Sequence, residues 1–399
     1  MHNNIIKKIE AIEIKDSRGK PAIEVTVFAG DESGSFAVPS GASTGTHEAK
    51  VLPVTQAIRN TKEIIAPALI GKNIEDQKEI DRIMIELDGT ENKSKLGGNA
   101  MIGVSIACAK AAAKVKGMEV FEYLRTLYQI KSSRKIPYLY MNLINGGKHA
   151  KNKLAFQEYL IVPMIEDASE AVQIGIRIQN TLKEILLREQ GGESLNLGDE
   201  GGYAPKLSDI KKPLEFLQEA IKKNNLSDKV RLALDVAASS FYSNGLYEIN
   251  GKKISKNELM EIYDSLIKEF DLFSIEDPFQ EEDFESFKKL KEKYPDLLVV
   301  GDDLTVTNKE RLKEALEKSS INAMIIKPNQ IGTLSETLET MKLAQNSGIE
   351  LIVSHRSGET NDDFIADLAY AFGAFGLKSG SPIKPERMVK YQRLIQISK

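Results

Sequence analysis

Six short apolar runs in the second half of the chain each end in a residue that carries a charge or forms hydrogen bonds. These end residues are Asp235, Glu276, Asp302, Lys327, His355 and Lys378. Successive members are separated by 41, 26, 25, 28 and 23 residues. After the longer first step, this spacing fits a strand, a helix and two short loops, and parallel strands repeated in this way close into a (β/α) barrel. We therefore expect the six side chains to meet at the mouth of one barrel.

The residue types in this set indicate metal-assisted proton abstraction. Three carboxylates suit a hard divalent cation, and a lysine near a metal ion suits removal of a proton next to a carboxylate. Lys327 ends an apolar run, and Lys378 is a candidate like-charged neighbour. Both effects are expected to lower the pKa of Lys327 and to favour the neutral amine that a base requires. The alternative is a lysine that pairs with a carboxylate and stabilises the barrel mouth.

Loops between these runs carry further candidate side chains. The segment GDEGG at 198–202 places Glu200 between glycines, where a carboxyl group can approach a substrate closely, and Glu158 follows Gln157 at the end of a strand-like stretch. Paired glutamates can share a proton, with one kept neutral enough to donate it. His149 lies beside a flexible glycine pair. Taken singly, each acid is explained equally well as a solvated loop residue, and a lone loop histidine is usually structural or merely exposed.

Two more segments suit a phosphorylated ligand. The loop GASTG at 41–45 can offer hydroxyl, N–H and carbonyl groups to a metal ion or a phosphate, although a simple turn explains this segment better when it is considered alone. The segment SHRSGE places Arg356 and Ser357 after a strand, and a guanidinium fork beside a hydroxyl binds phosphate well.

The first third of the chain has a different pattern. Alternating apolar residues predict two antiparallel strands around a turn at DSRGKP and a third strand at GSFAVPS, followed by helices. Strands followed by helices indicate a separate α+β domain. We expect this smaller domain at 1–132 and an eight-stranded (β/α) barrel at 133–399, with strands and helices alternating from Ile136 onward. The predicted fold class is α/β.

Composition argues against several classes of protein. The 399 residues are 41% hydrophobic and 28% charged, with a net charge of −4 and a pI near 5.8. Nothing in them resembles the basic face of a nucleic-acid binder or a membrane span. The first residues lack the apolar core of a signal peptide, so we expect a cytoplasmic protein. The single Cys108 excludes an intrachain disulfide and is expected to be a small buried hydrophobe.

Taken in order, these motifs resemble the enolase family along nearly the whole chain. The matching stretches are DSRGKP, VPSGASTGTHEA, DGTENKSKLGGNAMIGVS, NLINGGKHA, GDEGGYAP, SIEDPF, GDDLTVTN, IKPNQIGTLSET and SHRSGETNDD. The resemblance implies an enolase-type barrel whose first units depart from strict alternation. It also implies a lyase of glycolysis and gluconeogenesis that reversibly dehydrates 2-phosphoglycerate to phosphoenolpyruvate with the help of Mg²⁺.

The resemblance implies metal ligands and a base. Asp235, Glu276 and Asp302 resemble the ligands of a first Mg²⁺. Ser43, in the GASTG loop, resembles a ligand of a second Mg²⁺ that arrives with the substrate. Lys327 resembles the base that takes the proton from C2, and a lysine base assisted by Mg²⁺ is the known arrangement of this superfamily.

The resemblance also implies an acid and substrate-binding residues. Glu200, with Glu158 beside it, resembles the acid that protonates the departing C3 hydroxyl, and Lys378 would stabilise the enediolate. Arg356 and Ser357 would bind the phosphate. The remaining members of the implied site are His149, Gln157 and His355. The expected partner is a small phosphorylated hydroxy acid, and no nucleic acid is expected.

Several positions depart from the family pattern. Ile12 and Gln396 stand where arginines are usual, and Lys399 stands where a glutamate is usual, so Glu24 would lose its ordinary partner. The loop after THEA is shortened, and Ser240 replaces a frequent glutamate. The charged positions commonly pair across the dimer interface of the family, where charges set register and partner choice. We therefore expect a weaker or altered dimer.

Two alternatives are also consistent with the fold. The protein could abstract a proton from a different carboxylate substrate, or it could serve as a scaffold or binding protein without catalysis. The two predicted phosphate-binding segments argue against the first alternative. The presence of Lys327, Glu200 and the three carboxylates argues against the second.

Overall fold

The computed structural model of the protein describes residues 4–42, 45–130 and 135–399. It begins with an antiparallel sheet of β1 (Ile6–Lys15), β2 (Pro21–Ala29) and β3 (Glu32–Ala37) in that order. The alternating pattern buries Val25 and Val27 on one face and leaves Ile12 53% exposed. The Asp16 carboxylate holds the turn after β1, because it accepts hydrogen bonds from the Arg18 and Lys20 N–H groups, each at 2.9 Å. The predicted strands and turn are confirmed.

An alanine-rich helix covers the buried face of this sheet. The helices of this part are α1 (Val54–Asn60), α2 (Ala66–Leu69), α3 (Gln77–Asp88), α4 (Gly98–Val115) and α5 (Val120–Tyr128), with a π-helical segment at Thr61–Ile65. Helix α4 packs on β2 and β3 and buries Cys108, as predicted. The approach is so close that a Cβ on Gly34 would lie 2.3 Å from the Ala111 nitrogen. Small residues on α4 and a glycine on β3 are therefore required together.

The remaining strands form a small sheet and a closed barrel. They are β4 (Tyr138–Asn145), β5 (Glu158–Pro163), β6 (Val230–Asp235), β7 (Tyr242–Ser243), β8 (Leu246–Ile249), β9 (Lys252–Ile254), β10 (Ser274–Glu276), β11 (Leu298–Gly301), β12 (Ala323–Ile326), β13 (Glu350–Ser354) and β14 (Gly376–Lys378). Within the described ranges, β7 to β9 pair with one another, and the other eight close in the order β10, β11, β12, β13, β14, β4, β5, β6. The predicted eight-stranded barrel is confirmed.

The expected alternation from Ile136 onward is wrong at the start of the barrel. Strand β4 leads into β5 without an intervening α-helix, and β5 runs antiparallel to both β4 and β6. The reversal brings the first residue of β5, Glu158, to the barrel mouth beside Asn145 and Asp235, the last residues of its neighbours. Along the chain, the small sheet of β7 to β9 is inserted between β6 and β10. This insertion accounts for the long interval of 41 residues between Asp235 and Glu276.

Amphipathic helices connect the later strands. They are α6 (Ala168–Gln190), α7 (Lys212–Lys223), α8 (Lys256–Phe270), α9 (Phe284–Lys293), α10 (Lys309–Glu317), α11 (Pro328–Ile331), α12 (Leu334–Asn346), α13 (Phe364–Phe372) and α14 (Pro385–Ile397). A capping box of Ser255 and Glu258 begins α8 and satisfies free N–H groups of its first turn. Among the described helices, none has the length and apolar character needed to cross a membrane.

A buried carboxylate joins the N-terminal unit to the barrel. Asp81 of α3 accepts hydrogen bonds from the Ser105 hydroxyl at 2.6 Å and from the Ser335 N–H, at the start of α12, at 2.9 Å. Burial raises the pKa of Asp81. Breaking such a satisfied network leaves buried donors unpaired, at a cost of about 1–3 kcal/mol for each group. The orientation of the two units is therefore fixed by specific polar contacts as well as by apolar packing.

We predict that Gly34→Ala lowers the free energy of unfolding by about 1–3 kcal/mol, because the added methyl group would overlap the backbone of α4. Urea unfolding followed by circular dichroism would measure the loss. The matched control is Gly192→Ala, where a Cβ meets no atom within 4 Å. Equal stability of the two variants would contradict the close packing of β3 on α4.

Candidate active site

Most of the predicted site residues line one pocket at the barrel mouth. Those in the pocket wall are His149, Gln157, Glu158, Glu200, Asp235, Asp302, Lys327, His355, Arg356, Ser357 and Lys378. Glu276 joins them through its carboxylate, 2.7 Å from the Lys378 ammonium nitrogen. Ser43 lies outside the described residues. The N-terminal unit adds Gly41, Ala42 and Glu48 to the wall.

The Lys378 ammonium group is surrounded by carboxylates. Its Nζ lies 2.7 Å from Glu276, 3.0 Å from Asp235 and 3.1 Å from Glu158, and the residue is only 1% exposed. Burial by itself lowers the pKa of Lys378, but Asp235, Glu158 and Glu276 outweigh burial and hold its pKa well above the ordinary value. The carboxylates around Lys378 therefore favour its charged form.

Lys327 is also charged, which corrects the expected lowering of its pKa. Its ammonium group forms an ion pair with the Asp302 carboxylate. Burial lowers the pKa of Lys327, but Asp302 outweighs burial and raises it. The alternative from the sequence, a lysine that pairs with a carboxylate, describes this arrangement. Strand spacing predicted that neighbouring strand ends meet, but it did not reveal that β11 and β12 bring these two side chains into contact.

The predicted metal ligands have the chemistry that Mg²⁺ prefers. Asp235, Glu276 and Asp302 are buried oxygen donors. Burial and the Asp235 charge raise the pKa of Glu276 well above its ordinary value, and Glu276 Oε1 has no hydrogen-bond partner among the described residues. A buried carboxylate with a free oxygen and a like-charged neighbour favours a nearby cation. The donor set therefore fits the ion that the resemblance implies.

The three predicted ligands do not themselves form a compact group. In the described ranges, candidate ligand atoms lie within 4.8 Å of one another in two groups, which are His149, Glu158 and Glu200, and Asp277, Asp302 and Asp303. Asp235 and Glu276 instead form ion pairs with Lys378. Asp277, which the sequence analysis missed, accepts hydrogen bonds from the Asp302 and Asp303 N–H groups at 2.8 and 2.7 Å. Its place directly after Glu276 in SIEDPF was the available signal.

His149 lies between two buried glutamates. Its Nδ1 is 3.5 Å from Oε1 of both Glu158 and Glu200. Burial and the Glu200 charge raise the pKa of Glu158 well above the ordinary value. Burial also favours a raised pKa for Glu200, but the electrostatic effects of His149, His355, Arg387 and Lys378 outweigh burial and hold its pKa well below the ordinary value. Burial lowers the pKa of His149 itself. Of the two carboxyl groups, Glu158 therefore holds a proton more readily than Glu200.

A further residue of this cluster was missed by the sequence analysis. Asn142, in β4, donates a hydrogen bond of 2.9 Å to Oε2 of Glu200 and is fully buried. An amide donor favours the anionic form of a carboxylate and fixes its orientation. The available signal was Asn142 itself, which interrupts the apolar run of β4. A buried strand seldom contains an asparagine without a polar partner.

The predicted phosphate-binding side contains a buried ion pair. Arg356 Nη2 lies 3.0 and 3.1 Å from the two carboxylate oxygens of Glu48, in the loop that follows the GASTG segment. Burial lowers the pKa of Arg356, but Glu48 outweighs burial and raises it. Arg18, which donates to the Ser40 hydroxyl at 2.8 Å, also reaches Ser357 at 3.5 Å. Glu48 and Arg18 belong to the motifs THEA and DSRG, and the sequence analysis did not place them in the site.

A strained loop after β11 supports the predicted base. Val306 and Thr307 are β-branched residues with φ of 42° and 55°, a left-handed conformation that costs about 1–3 kcal/mol for each residue. The Thr307 hydroxyl accepts a hydrogen bond from the Lys327 N–H at 2.9 Å and donates one to Gln330 at 2.8 Å. Gln330 in turn donates to Asp302 at 3.0 Å. The strained loop therefore places Thr307 where its hydrogen bonds connect the Lys327 backbone to the Asp302 carboxylate through Gln330.

Two family models match this chain. The model described as "Enolase, C-terminal TIM barrel domain" matches residues 133–399, and the model described as "Enolase, N-terminal domain" matches residues 6–124. Together they cover the barrel with its pocket and the α+β unit that lines one side of it. The matched order of domains is the order expected from the sequence.

Curated relatives share nearly half of the residues along the chain. An enolase from Methanocaldococcus jannaschii is 46% identical over 404 residues, which span 98% of this chain and 94% of the relative. An enolase from Methanopyrus kandleri is 46% identical over 409 residues, spanning 98% and 95%. An enolase from Methanosarcina barkeri is 45% identical over 405 residues, spanning 98% and 94%. The chain belongs to the enolase family.

Proposed function

We propose that this protein is an enolase that reversibly dehydrates 2-phosphoglycerate to phosphoenolpyruvate. One observation carries the proposal: the candidate base and the glutamate pair that contains the candidate acid Glu200 face the same pocket. Lys327 follows β12, and Glu158, the partner of Glu200, begins β5, four strand positions away in the closed eight-stranded barrel. Elimination across a C2–C3 bond needs a base for the C2 proton and an acid for the C3 hydroxyl, one at each end of the bond.

Lys327 is the proposed base. It must be neutral to accept a proton, so the ion pair with Asp302 has to break and the ammonium proton has to pass to solvent before the reaction. The proton next to the substrate carboxylate then moves to Nζ of Lys327. The Lys378 ammonium group remains charged and stabilises the negative charge that develops on the substrate.

Mg²⁺ is the proposed cofactor, and two ions are inferred from the family resemblance. Asp235, Glu276 and Asp302 would hold one ion, and Ser43 would contribute to the second. When bound, Mg²⁺ supplies positive charge that makes a proton next to a carboxylate easier to remove. Asp277 supports this role, because its two hydrogen bonds fix the backbone that carries Asp302.

Glu200 is the proposed acid for the departing hydroxyl. The raised pKa of Glu158 supports this role, because His149 Nδ1 lies 3.5 Å from both carboxyl groups and could accept a proton from Glu158 and donate it to Glu200. As the C3–O bond breaks, the proton moves from Glu200 to the hydroxyl, which leaves as water, and the electrons of the former C2–H bond form the double bond. Gln157 and His355 complete the pocket wall near this end.

Arg356 and Ser357 are the proposed phosphate-binding residues. The Arg356 guanidinium is 5% exposed and engaged by Glu48, so the phosphate must replace or share one buried anionic partner. That exchange couples phosphate binding to the loop that bears Glu48. Guanidinium geometry favours two parallel hydrogen bonds to either anion.

We predict that the purified protein converts 2-phosphoglycerate to phosphoenolpyruvate only with Mg²⁺, and that excess chelator abolishes the ultraviolet absorbance change. Lys327→Ala is expected to lower kcat by about 10²–10⁴-fold, because a general base contributes a factor of that size. The matched control is Lys289→Ala, an exposed lysine on α9. Unchanged turnover in folded Lys327→Ala would sink the assignment of the base.

We predict that Glu158 controls the alkaline side of the pH profile. The pKa of Glu158 is raised, so its proton is present below that pKa and is lost as the pH rises through it. Activity that needs this proton therefore falls with rising pH. Glu158→Gln should lower kcat by about 10²-fold and remove this alkaline fall, since an amide has no proton to lose. Glu261→Gln, on the exposed face of α8, is the control, and an unchanged alkaline fall in Glu158→Gln would refute the role.

The domain division at 1–132 and 133–399, the cytoplasmic location and the altered dimer stay predictions.

Ile12 and Gln396 are exposed on this chain and carry no charge for a partner subunit. We predict that light scattering over a dilution series detects dissociation at low protein concentration. Gln396→Arg, which restores the usual charge, should shift dissociation to lower concentration. A dimer that survives dilution equally in both proteins would count against the altered interface.

A further inference from the structure

We propose that Arg387, in α14, is a positioning residue that holds His355 as the neutral tautomer with its proton on Nε2, facing Glu200. This inference deepens the proposed function, because it rests on Glu200 as the acid of that reaction. Neither the catalytic roles proposed above nor the family resemblance assigned any role to α14.

Arg387 is a fully buried guanidinium without a carboxylate partner. It is 0% exposed, and no acidic side chain of the described residues lies within 4.0 Å of its nitrogens. A buried charge of this kind is stable only when its donors are satisfied. Its two Nη groups donate to the His355 ring and to backbone carbonyl oxygens, while Nε has no hydrogen-bond partner among the described residues. The acceptors around the Nη groups therefore hold the charge in place.

The contact to His355 sets the tautomer. Arg387 Nη1 lies 2.5 Å from Nδ1 of His355. A guanidinium has donors only, so Nδ1 must present its lone pair and the ring proton must reside on Nε2. Nε2 is buried, makes no hydrogen bond to the described residues and lies 3.4 Å from Oε1 of Glu200. The proton that Arg387 excludes from Nδ1 therefore sits on the ring nitrogen that is near Glu200.

The same guanidinium joins the loops of the acid and of the phosphate-binding residues. Nη1 donates to the Arg356 carbonyl at 2.6 Å, and Nη2 donates to the Ser357 carbonyl at 2.8 Å and to the Asp199 carbonyl at 3.2 Å. Asp199 directly precedes Glu200. The Arg387 side chain therefore fixes the distance between the Glu200 segment and the residues proposed to bind the phosphate, Arg356 and Ser357.

The charges around His355 agree with a neutral ring. Burial lowers the pKa of His355 most, the Glu200 charge opposes this, and Arg387 and the two lysines of the pocket lower the pKa further. The groups that face the ring come from four elements, namely Glu200 before β6, Arg387 in α14, Lys378 at the end of β14 and Lys327 after β12. Without the Arg387 charge, the effect of Glu200 would be less opposed, and the pKa of His355 would rise.

An arginine that only packed the fold would give a different result from a positioning residue. Packing alone predicts that a variant loses stability while the tautomer of His355 stays the same. Positioning predicts that the tautomer changes even in a folded variant. Lys390, which is buried on the same helix and donates to Glu359 at 2.7 Å, supplies a matched comparison because it has no contact with His355 in the described structure.

Nitrogen NMR of the histidine rings tests the inference directly. The chain has four histidines, so the spectrum of protein labelled with ¹⁵N-histidine is small, and His355→Gln identifies the signal of His355. We expect a non-protonated Nδ1 and a protonated Nε2 in the unchanged protein between pH 5 and 8, the range in which an ordinary imidazole titrates. A protonated Nδ1 in the unchanged protein would overturn the proposal, whatever the variants do.

Arg387→Met is expected to give mixed tautomers and a ring that titrates within that pH range. Its kcat should fall about 10–100-fold, the usual size of an effect transmitted through a neighbouring residue, with a smaller change in KM. Arg387→Lys, which can still donate one hydrogen bond, should recover part of both losses and serves if the methionine variant does not fold. Lys390→Met should leave the His355 signals unchanged. Identical His355 signals in a folded Arg387 variant and the unchanged protein would refute the assignment.

The NMR measurement needs no substrate, so it separates this inference from the proposed function. If the protein does not dehydrate 2-phosphoglycerate but the tautomer changes in Arg387→Met, the proposed reaction fails and the positioning of His355 stands. If the reaction proceeds and the tautomer does not change, the positioning role fails alone.

Discussion

The neutralisation of buried carboxylates at the barrel mouth is the constraint on which the rest of the structure depends. Glu158, Asp235 and Glu276 meet around Lys378, and Asp302 meets Lys327. Removing one partner from a buried ion pair typically costs about 3–5 kcal/mol, because the remaining charge is left in a poorly solvated place. The strands, the strained loop after β11 and the N-terminal unit all act to keep these charges together.

The same ion pairs hold the candidate base and acid in unreactive protonation states when no ligand is bound. The neighbouring carboxylates raise the pKa of both lysines against the opposing effect of burial, and burial together with the Glu200 charge raises the pKa of Glu158. A ligand that brings its own charges must exchange partners with these groups before a base and an acid are in their reactive states. Arg356 is likewise engaged by a buried anionic partner, Glu48.

Support for the pocket comes from distant parts of the chain. Glu48 reaches in from the N-terminal unit, Thr307 and Gln330 join the segments after β11 and β12, and Arg387 arrives from the last helix. The sequence analysis placed none of these residues in the site, yet each makes hydrogen bonds to a predicted site residue. Such supporting contacts fix geometry within the small tolerances that proton transfer requires.

The sequence by itself determined the barrel, the small α+β unit and the identity of most residues around the pocket. It did so because apolar periodicity reports local structure, and because a polar residue at the end of a buried strand has few places to point other than the barrel mouth. It could not determine the reversed direction of β5, the charged state of Lys327 or the contacts of Arg387. Those features were decided only by the tertiary structure, since Lys378 and Asp235 are 143 residues apart and Arg387 and Asp199 are 188 apart. Which charge faces which, and therefore which group holds a proton, depends on that long-range packing and on burial from solvent, and neither is written in any local pattern.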